Sequence, residues 1–179
     1  MDLIGKALAA LPNHAEARFN LGNALQDQGK LDEAIASYRR ALDIKPNYVK
    51  AHNNLGNALA AQGSPDQAIE HYKVALSLKP DYAEAYNNLG LALPRVGKPL
   101  EAIDCLRRAI QINSGYAEAY SNLAAVLMGQ GKLDEAAECC RKALRIKPDL
   151  VEAHSCLLFL LLFDRPYSLA EVLAEHLRF

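Results

Sequence analysis

The sequence has little net charge and no long apolar segment. Its formal net charge is −1 over 179 residues, so nothing marks it as a binder of nucleic acids or membrane surfaces. The longest apolar run, Cys156–Phe163, is far too short to cross a bilayer as a helix. The chain does not open with a basic segment, an apolar run and a small-residue cleavage site, so no secretory signal is predicted. We therefore expect neither a nucleic acid nor a membrane as partner.

Motifs that carry catalysis are also missing. The sequence has no phosphate-cradling GxxxxGKS/T or GxGxxG loop and no GxSxG nucleophile elbow. Its histidines are scattered, without a nucleophile or an orienting carboxylate at an evident spacing. They are His14, His52, His71, His154 and His176. The segment is therefore predicted to have no catalytic residue and no cofactor.

The four cysteines, Cys105, Cys139, Cys140 and Cys156, form no CxxC pair and have no histidine at a zinc-site spacing. We expect no metal site and interpret these residues as small buried hydrophobes in a reducing compartment. A cytoplasmic location is the corresponding expectation.

A repeat of 34 residues organises the chain. Gly22, Gly56 and Gly90 stand in one column, which is the set of residues at the same place in successive units. Apolar residues within a unit fall at helical spacing and predict two amphipathic helices per unit. A helix pair of this length cannot bury its apolar face alone, so the units are expected to stack into an all-α solenoid that binds something. Two alanine columns support close helix packing: Ala34, Ala68, Ala102 and Ala136, and Ala41, Ala75, Ala109 and Ala143.

The boundaries follow from this period. Residues 1–14 match the end of a preceding repeat's second helix, residues 151–163 resemble the first helix of a partial fifth unit, and residues 164–179 are predicted to form a tail helix. That tail either caps the array or leads to a missing downstream domain. The four complete units are residues 15–48, 49–82, 83–116 and 117–150.

Two kinds of residue predict where first helices end. The column of Gly29, Gly63, Gly97 and Gly131 is expected to adopt positive φ at the turn after each first helix. Pro94 removes a backbone N–H late in a first helix, and its ring opposes the carbonyl of Gly90. We therefore predict a kink or an early helix end at Pro94, with Arg95 and Val96 displaced.

These residues resemble the tetratricopeptide-repeat (TPR) pattern. The match runs through Leu21–Gly22, Ala34, Tyr38, Ala41 and Pro46 and recurs in four units. The resemblance implies a right-handed superhelix of antiparallel helix pairs that binds a protein or an extended peptide on its concave face. Two departures are the absence of tryptophan from every unit and Ser114–Gly115, where the other units have proline followed by asparagine or aspartate.

Asparagines beside the apolar stripe carry the functional signal. Asparagine inside a helix is less favourable than alanine by roughly 0.5 kcal/mol of helix propensity. Its repetition at the same position of successive units therefore indicates a function or a structural role. A primary amide has one acceptor oxygen and two N–H donors, and a row of amides is able to hold a peptide by its backbone. Two alternatives are persistence after duplication and hydrogen bonding to the neighbouring helix. The predicted peptide-binding residues are Asn20, Asn54, Asn88 and Asn122, with Asn23 and Asn57 one turn along.

This asparagine ladder is similar to that in the TPR region of bacterial O-linked N-acetylglucosamine transferase-like glycosyltransferases. The segments His154–Phe159 and Ala174–Arg178 resemble the link between repeats and catalytic domain in those enzymes. The resemblance implies a substrate-recruiting arm whose sugar-nucleotide site lies beyond residue 179. The alternative is a stand-alone scaffold for protein assembly with no attached enzyme. The exposed array ends are also predicted to allow self-association.

A clamp for a C-terminal carboxylate, as in chaperone-binding TPR domains, is disfavoured. Phe19 and Glu84 stand at positions where that resemblance calls for lysines, and Lys50 and Arg95 do not restore the pattern.

Overall fold

A computed structural model describes residues 14–163, and within them the backbone is all-helical. The predictions for residues 1–13 and for the tail helix, 164–179, concern residues outside this part of the chain. The all-α prediction is confirmed for the described residues, which contain no strand. The helices are α1 Ala15–Asp27, α2 Leu31–Ile44, α3 Val49–Ala61, α4 Pro65–Leu78, α5 Ala83–Ala92, a 3-10 turn Leu93–Val96, α6 Pro99–Ile112, α7 Ala117–Gly129, α8 Leu133–Ile146 and α9 Val151–Phe163.

The chain divides into two compact units between Val96 and Gly97. In the first unit, α1 packs on α2, α2 on α3, α3 on α4 and α4 on α5. The first helices α1, α3 and α5 are also neighbours there, because α3 contacts both of the others. In the second unit, α6 packs on α7, α7 on α8 and α8 on α9. The boundary lies inside the third 34-residue period, between its first helix and its second.

The two alanine columns form the tightest part of the packing. All eight alanines, Ala34, Ala41, Ala68, Ala75, Ala102, Ala109, Ala136 and Ala143, have 0% exposure. A methyl side chain allows neighbouring helices to approach closely, and the larger residues fill the space that remains. The predicted helix-packing faces are therefore confirmed.

Glycines of the turn column have the predicted left-handed conformation. Gly29 has φ 72° and Gly63 has φ 89°. After α1, the N–H of Lys30 donates to the carbonyl of Leu25 at 2.9 Å, and the N–H of Gly29 donates to the carbonyl of Gln26 at 2.9 Å. This pair of bonds is the Schellman motif, which satisfies two carbonyls that the helix end would otherwise leave without partners.

Pro94 ends its helix early, as predicted. The helix α5 has 10 residues and stops at Ala92, whereas the corresponding first helix α3 has 13 residues. The chain continues as the 3-10 turn Leu93–Val96, because Pro94 has no N–H for the next bond of an α-helix. Leu93 is buried in this turn with 1% exposure, which fixes the turn to the body of the first unit.

Gly22 and Gly56 allow a tyrosine ring to lie against the helix backbone. A Cβ atom added to Gly22 would stand 2.5 Å from Cε1 of Tyr38, and one added to Gly56 would stand 2.5 Å from Cε1 of Tyr72. In the fourth period, Ala124 and Cys140 occupy the same two columns and share one apolar cluster. Where alanine replaces the glycine, the smaller cysteine replaces the tyrosine.

Two buried histidines link first helices to the preceding turns. Nε2 of His52 lies 2.9 Å from the carbonyl oxygen of Pro46, and Nε2 of His154 lies 2.8 Å from that of Pro148. Each ring nitrogen therefore carries a proton and donates to the carbonyl. These contacts agree with a packing role for both histidines.

Candidate functional site

The six predicted asparagines lie on first helices of the pairs. Asn20 is exposed, whereas the other five are half-buried. Five of the six belong to the first compact unit, and Asn122 on α7 belongs to the second. Their helices are α1 for Asn20 and Asn23, α3 for Asn54 and Asn57, and α5 for Asn88.

A chain of side-chain amides connects α1, α3 and α5. Nδ2 of Asn54 donates to Oδ1 of Asn23 at 2.9 Å, and Nδ2 of Asn88 donates to Oδ1 of Asn53 at 3.1 Å. Within α3, Nδ2 of Asn53 donates to Oδ1 of Asn54 at 3.3 Å. Within α5, Nδ2 of Asn87 donates to Oδ1 of Asn88 at 3.4 Å. The asparagines thus bond to neighbouring helices, one of the two alternatives that the sequence left open.

Asn53 and Asn87 are functional candidates that sequence reasoning missed. Their side chains are buried, with 3% and 4% exposure, and burial of an amide is unfavourable unless it is hydrogen-bonded. The dipeptides Asn53–Asn54 and Asn87–Asn88 are the signal that marks them. The first asparagine of each pair supports the second, which is half-buried at the surface.

Tyrosines of the second helices anchor two of the asparagines. The hydroxyl of Tyr38 donates to Oδ1 of Asn23 at 2.8 Å, with Oε1 of Gln26 3.0 Å away as a second acceptor. The hydroxyl of Tyr72 donates to Oδ1 of Asn57 at 2.8 Å. Burial raises the pKa of Tyr38 to about 12. Burial also raises the pKa of Tyr72, and Arg95 partly offsets that increase. Both phenols are therefore neutral donors near pH 7.

The internal bonds consume acceptors and leave donors. Oδ1 of Asn23 accepts from Tyr38 and Asn54, so both of its lone pairs are engaged. Within the described residues, the side-chain N–H groups of Asn23 and Asn57 donate to no side chain and to no backbone carbonyl. The surface therefore offers N–H donors, which suit carbonyl or carboxylate oxygens. This differs from the expected two-way pairing with a peptide group, because the partners of Asn23 already occupy its oxygen.

A pocket of about 280 Å³ lies on this surface, and its polar lining comes from Asn57, Tyr72, Asn88 and Arg95. Nη1 of Arg95 donates to the carbonyl of Ala60 at 3.3 Å, which attaches the 3-10 turn to the last turn of α3. Within residues 14–163, Arg95 forms no ion pair. Sequence reasoning treated it as a residue displaced by Pro94 and as one that does not restore the pattern of a carboxylate clamp.

Comparisons with known proteins assign the chain to a family. A family model described as the cilia and flagella-associated protein 70 C-terminal domain, a TPR domain, matches residues 3–155. The chain belongs to this TPR family. No curated protein matches the TPR chain.

Solved structures agree with the assignment. MamA protein is 31% identical over 92% of this TPR chain and 88% of its own, with a TM-score of 0.75. Pseudomonas aeruginosa pilF is 27% identical over 92% of this chain and 74% of its own, with a TM-score of 0.83. YrrB, described as a TPR protein with an unusual peptide-binding site, is 24% identical over 96% of this chain and 89% of its own, with a TM-score of 0.75. The fold is thus the TPR solenoid, and a TPR chain of this kind is a protein-binding scaffold.

The second unit of the TPR chain carries less of the asparagine pattern. Asn122 is half-buried on α7, and Ala125 occupies the column of Asn23 and Asn57. Cys156 stands where the next asparagine of the main column would be, and it is a half-buried free thiol. The amide chain that connects α1, α3 and α5 lies in the first unit.

No helix in the described part of the TPR chain is both long and apolar enough to span a membrane.

Proposed function

We propose that this TPR chain binds an extended peptide or protein segment on the face that the resemblance predicts to be concave. Its contacts are the asparagine side chains Asn20, Asn23, Asn54, Asn57 and Asn88 of α1, α3 and α5, with Asn122 of α7 as a further contact. One observation carries the proposal: the amide chain that starts at Asn54 and Asn23 leaves N–H donors at the surface of three neighbouring helices.

Prior ordering of the amides supports this function. A hydrogen-bonded asparagine has one preferred side-chain conformation, so less conformational entropy is lost when a ligand arrives. Peptide carbonyl oxygens are present at every residue of an extended segment, whatever its side chains. The proposed recognition is therefore tolerant of sequence, as suits a scaffold that receives several partners. YrrB, which has the same fold, is itself described as having an unusual peptide-binding site.

Two biological contexts fit the peptide-binding face. One is the recruiting arm of an O-linked N-acetylglucosamine transferase-like enzyme, supported by the resemblance of His154–Phe159 and of the tail. The other is a stand-alone scaffold that assembles proteins, and the comparisons fit it equally. The reading frame that contains the chain discriminates them, because several hundred further residues with alternating strand and helix patterns after Phe179 would favour the enzyme. A cytoplasmic location, in keeping with four free thiols, and self-association through the array ends complete the proposal.

The test uses peptides selected from a random peptide library by the unmodified chain. The triple variant Asn54→Ala/Asn88→Ala/Asn122→Ala is expected to bind them roughly tenfold more weakly or worse, since each lost hydrogen bond contributes about 0.5–1.5 kcal/mol. The double variant Gln67→Ala/Gln111→Ala is the matched control, because both are exposed amides on second helices. Circular dichroism verifies that each variant is folded. Unchanged affinity in the folded triple variant would remove the asparagine face as the binding site.

A further inference from the structure

The pocket beside Asn57 and Asn88 carries one positive charge and no negative one. Its lining contains the guanidinium of Arg95 and two side-chain amides, and none of its described residues is a carboxylate. Asn57 has both N–H groups available within the described residues, and Asn88 uses one of its two for Asn53. A guanidinium has five N–H donors, and Arg95 uses one nitrogen for Ala60. The polar groups of the pocket are therefore mostly donors.

The 3-10 turn that Pro94 causes places Arg95 at this pocket. The other first helices have Asp27, Ala61, Gly129 and Phe163 in the column of Arg95, so among these helices only that of the third period has a cation there. Helix α5 stops at Ala92, and the turn then brings Arg95 to the carboxyl end of α3, where the helix dipole favours a cation. The exposed side chain of Arg95 therefore lines the same pocket as Asn57 and Asn88.

The size of the pocket favours a single side chain as its occupant. Its volume of about 280 Å³ is at the lower edge of the roughly 300–1,000 Å³ of sites that bury a drug-sized molecule. Leu91 and Ala92 belong to its apolar lining, which suits the methylene group of an acidic side chain. Guanidinium and carboxylate groups pair through two parallel hydrogen bonds, a geometry that lysine does not provide.

We infer that this pocket binds the side-chain carboxylate of an aspartate or glutamate within the peptide that the asparagine face holds. Arg95 donates to the carboxylate, and N–H groups of Asn57 and Asn88 complete its hydrogen bonding. This inference rests on the proposed function, and it gives the otherwise sequence-tolerant face a preference for one acidic residue.

The experiment compares three peptides on the full chain at low ionic strength. A library-selected decapeptide that contains glutamate is prepared with acetylated and amidated ends. Its twin has glutamine at each glutamate position, and a third peptide is the glutamine twin with a free C-terminal carboxylate. We expect the glutamate peptide to bind about tenfold more tightly than its glutamine twin, as a charge-assisted hydrogen bond predicts. Arg95→Gln should abolish this ratio while the glutamine peptide keeps its affinity.

Arg40→Gln is the matched control, because Arg40 is an exposed arginine on α2 outside the pocket. Arg40→Gln also removes one positive charge, and it should preserve the ratio of affinities for the glutamate peptide and its glutamine twin. A ratio near one in the unmodified chain, or a ratio that survives Arg95→Gln, would overturn the acidic pocket and leave the proposed function standing. If only the peptide with a free C-terminus bound more tightly than the blocked glutamine twin, the pocket would bind a terminal carboxylate. That result would also contradict the inference of an internal acidic residue. Failure of all three peptides to bind would contradict the proposed function and the pocket together.

Discussion

Asn54 donates a hydrogen bond from Nδ2 to Oδ1 of Asn23, 2.9 Å away. The two residues are 31 positions apart, on consecutive first helices. Tyr38 donates to the same oxygen, so a second helix of the first pair also takes part. The contact joins the packing of the repeats to the surface that we propose for peptide binding.

A double-mutant cycle measures this bond. Asn23→Ala and Asn54→Ala should each destabilise the chain, and the double variant should be less destabilised than their sum. The expected coupling is about 1 kcal/mol, typical of a protein hydrogen bond. Urea unfolding of the four proteins gives the value. Additivity within about 0.3 kcal/mol, the level found for independent sites, would mean that the bond contributes nothing.

Gly56→Ala should destabilise the first unit by about 1–3 kcal/mol, the usual cost of forcing an atom into a packed core. The added Cβ would meet Cε1 of Tyr72 at 2.5 Å. Gly56→Ala combined with Tyr72→Cys reproduces the natural pair Ala124 and Cys140, so the double variant should be more stable than the two single effects predict. Urea unfolding checks both values.

The matched control for this substitution is Gly129→Ala. Gly129 is a helical glycine, and an added Cβ there would have nothing within 4 Å. Alanine has the higher helix propensity, so stability should stay the same or rise by up to about 1 kcal/mol. Equal destabilisation at Gly56 and Gly129 would contradict the steric explanation.

Stability should fall at alkaline pH because of Tyr38. Its pKa is raised from the ordinary value of 10.0 to about 12, chiefly by burial. Between these values the unfolded chain has lost the phenolic proton and the folded chain has kept it, so the free energy of unfolding decreases as pH rises. Tyr38→Phe should make the decline between pH 10 and 12 shallower, as followed by urea unfolding at several pH values. An identical decline in both proteins would exclude Tyr38 as its source.

Stability should also fall below about pH 6.5 because of His71. Burial lowers the pKa of His71 most, His52 and Arg39 lower it further, and Glu70 opposes them. Nδ1 of His52 lies 3.1 Å from Nδ1 of His71, so the two rings are in direct contact. The unfolded chain takes up the proton at a higher pH than the folded one, and the free energy of unfolding therefore decreases as pH falls.

The variant His71→Asn removes this titration and should flatten the dependence of stability on pH below 6.5, as measured by thermal or urea unfolding. His14→Asn is the control for the loss of one imidazole, since His14 is an exposed N-cap residue of α1. The account of His71 fails if both variants show the slope of the unmodified protein.

Periodic features of the fold were predictable, and single contacts were not. Repeated glycines mark positions of positive φ, such as Gly29, and repeated alanines mark close helix packing, such as at Ala34. Their columns therefore predict the backbone directly. Pro94 acts on its own helix through a missing N–H, and its effect was equally predictable. Each of these features depends on residues near in sequence.

The candidate site depends instead on the relative position of helices. Whether Asn54 reaches Asn23 or turns toward solvent is decided by the relative position of two helices, which the sequence pattern does not record. Asn53 and Asn87 were not among the predicted site residues, because their role depends on hydrogen bonds to Asn54 and Asn88. Arg95 gained its position only because the 3-10 turn returns it to α3. Tertiary contacts of this kind are invisible to a one-dimensional pattern.

The most direct test of the peptide-binding face is a titration followed by the side-chain NH₂ signals of asparagine and glutamine in the ¹⁵N-labelled chain. The ligand is a library-selected extended peptide with blocked ends. We predict that the NH₂ signals of Asn20, Asn57 and Asn88 shift with one common dissociation constant, while those of Gln67 and Gln111 on second helices stay in place. Saturable binding that shifts the glutamine signals and leaves the asparagine signals unchanged would contradict the account.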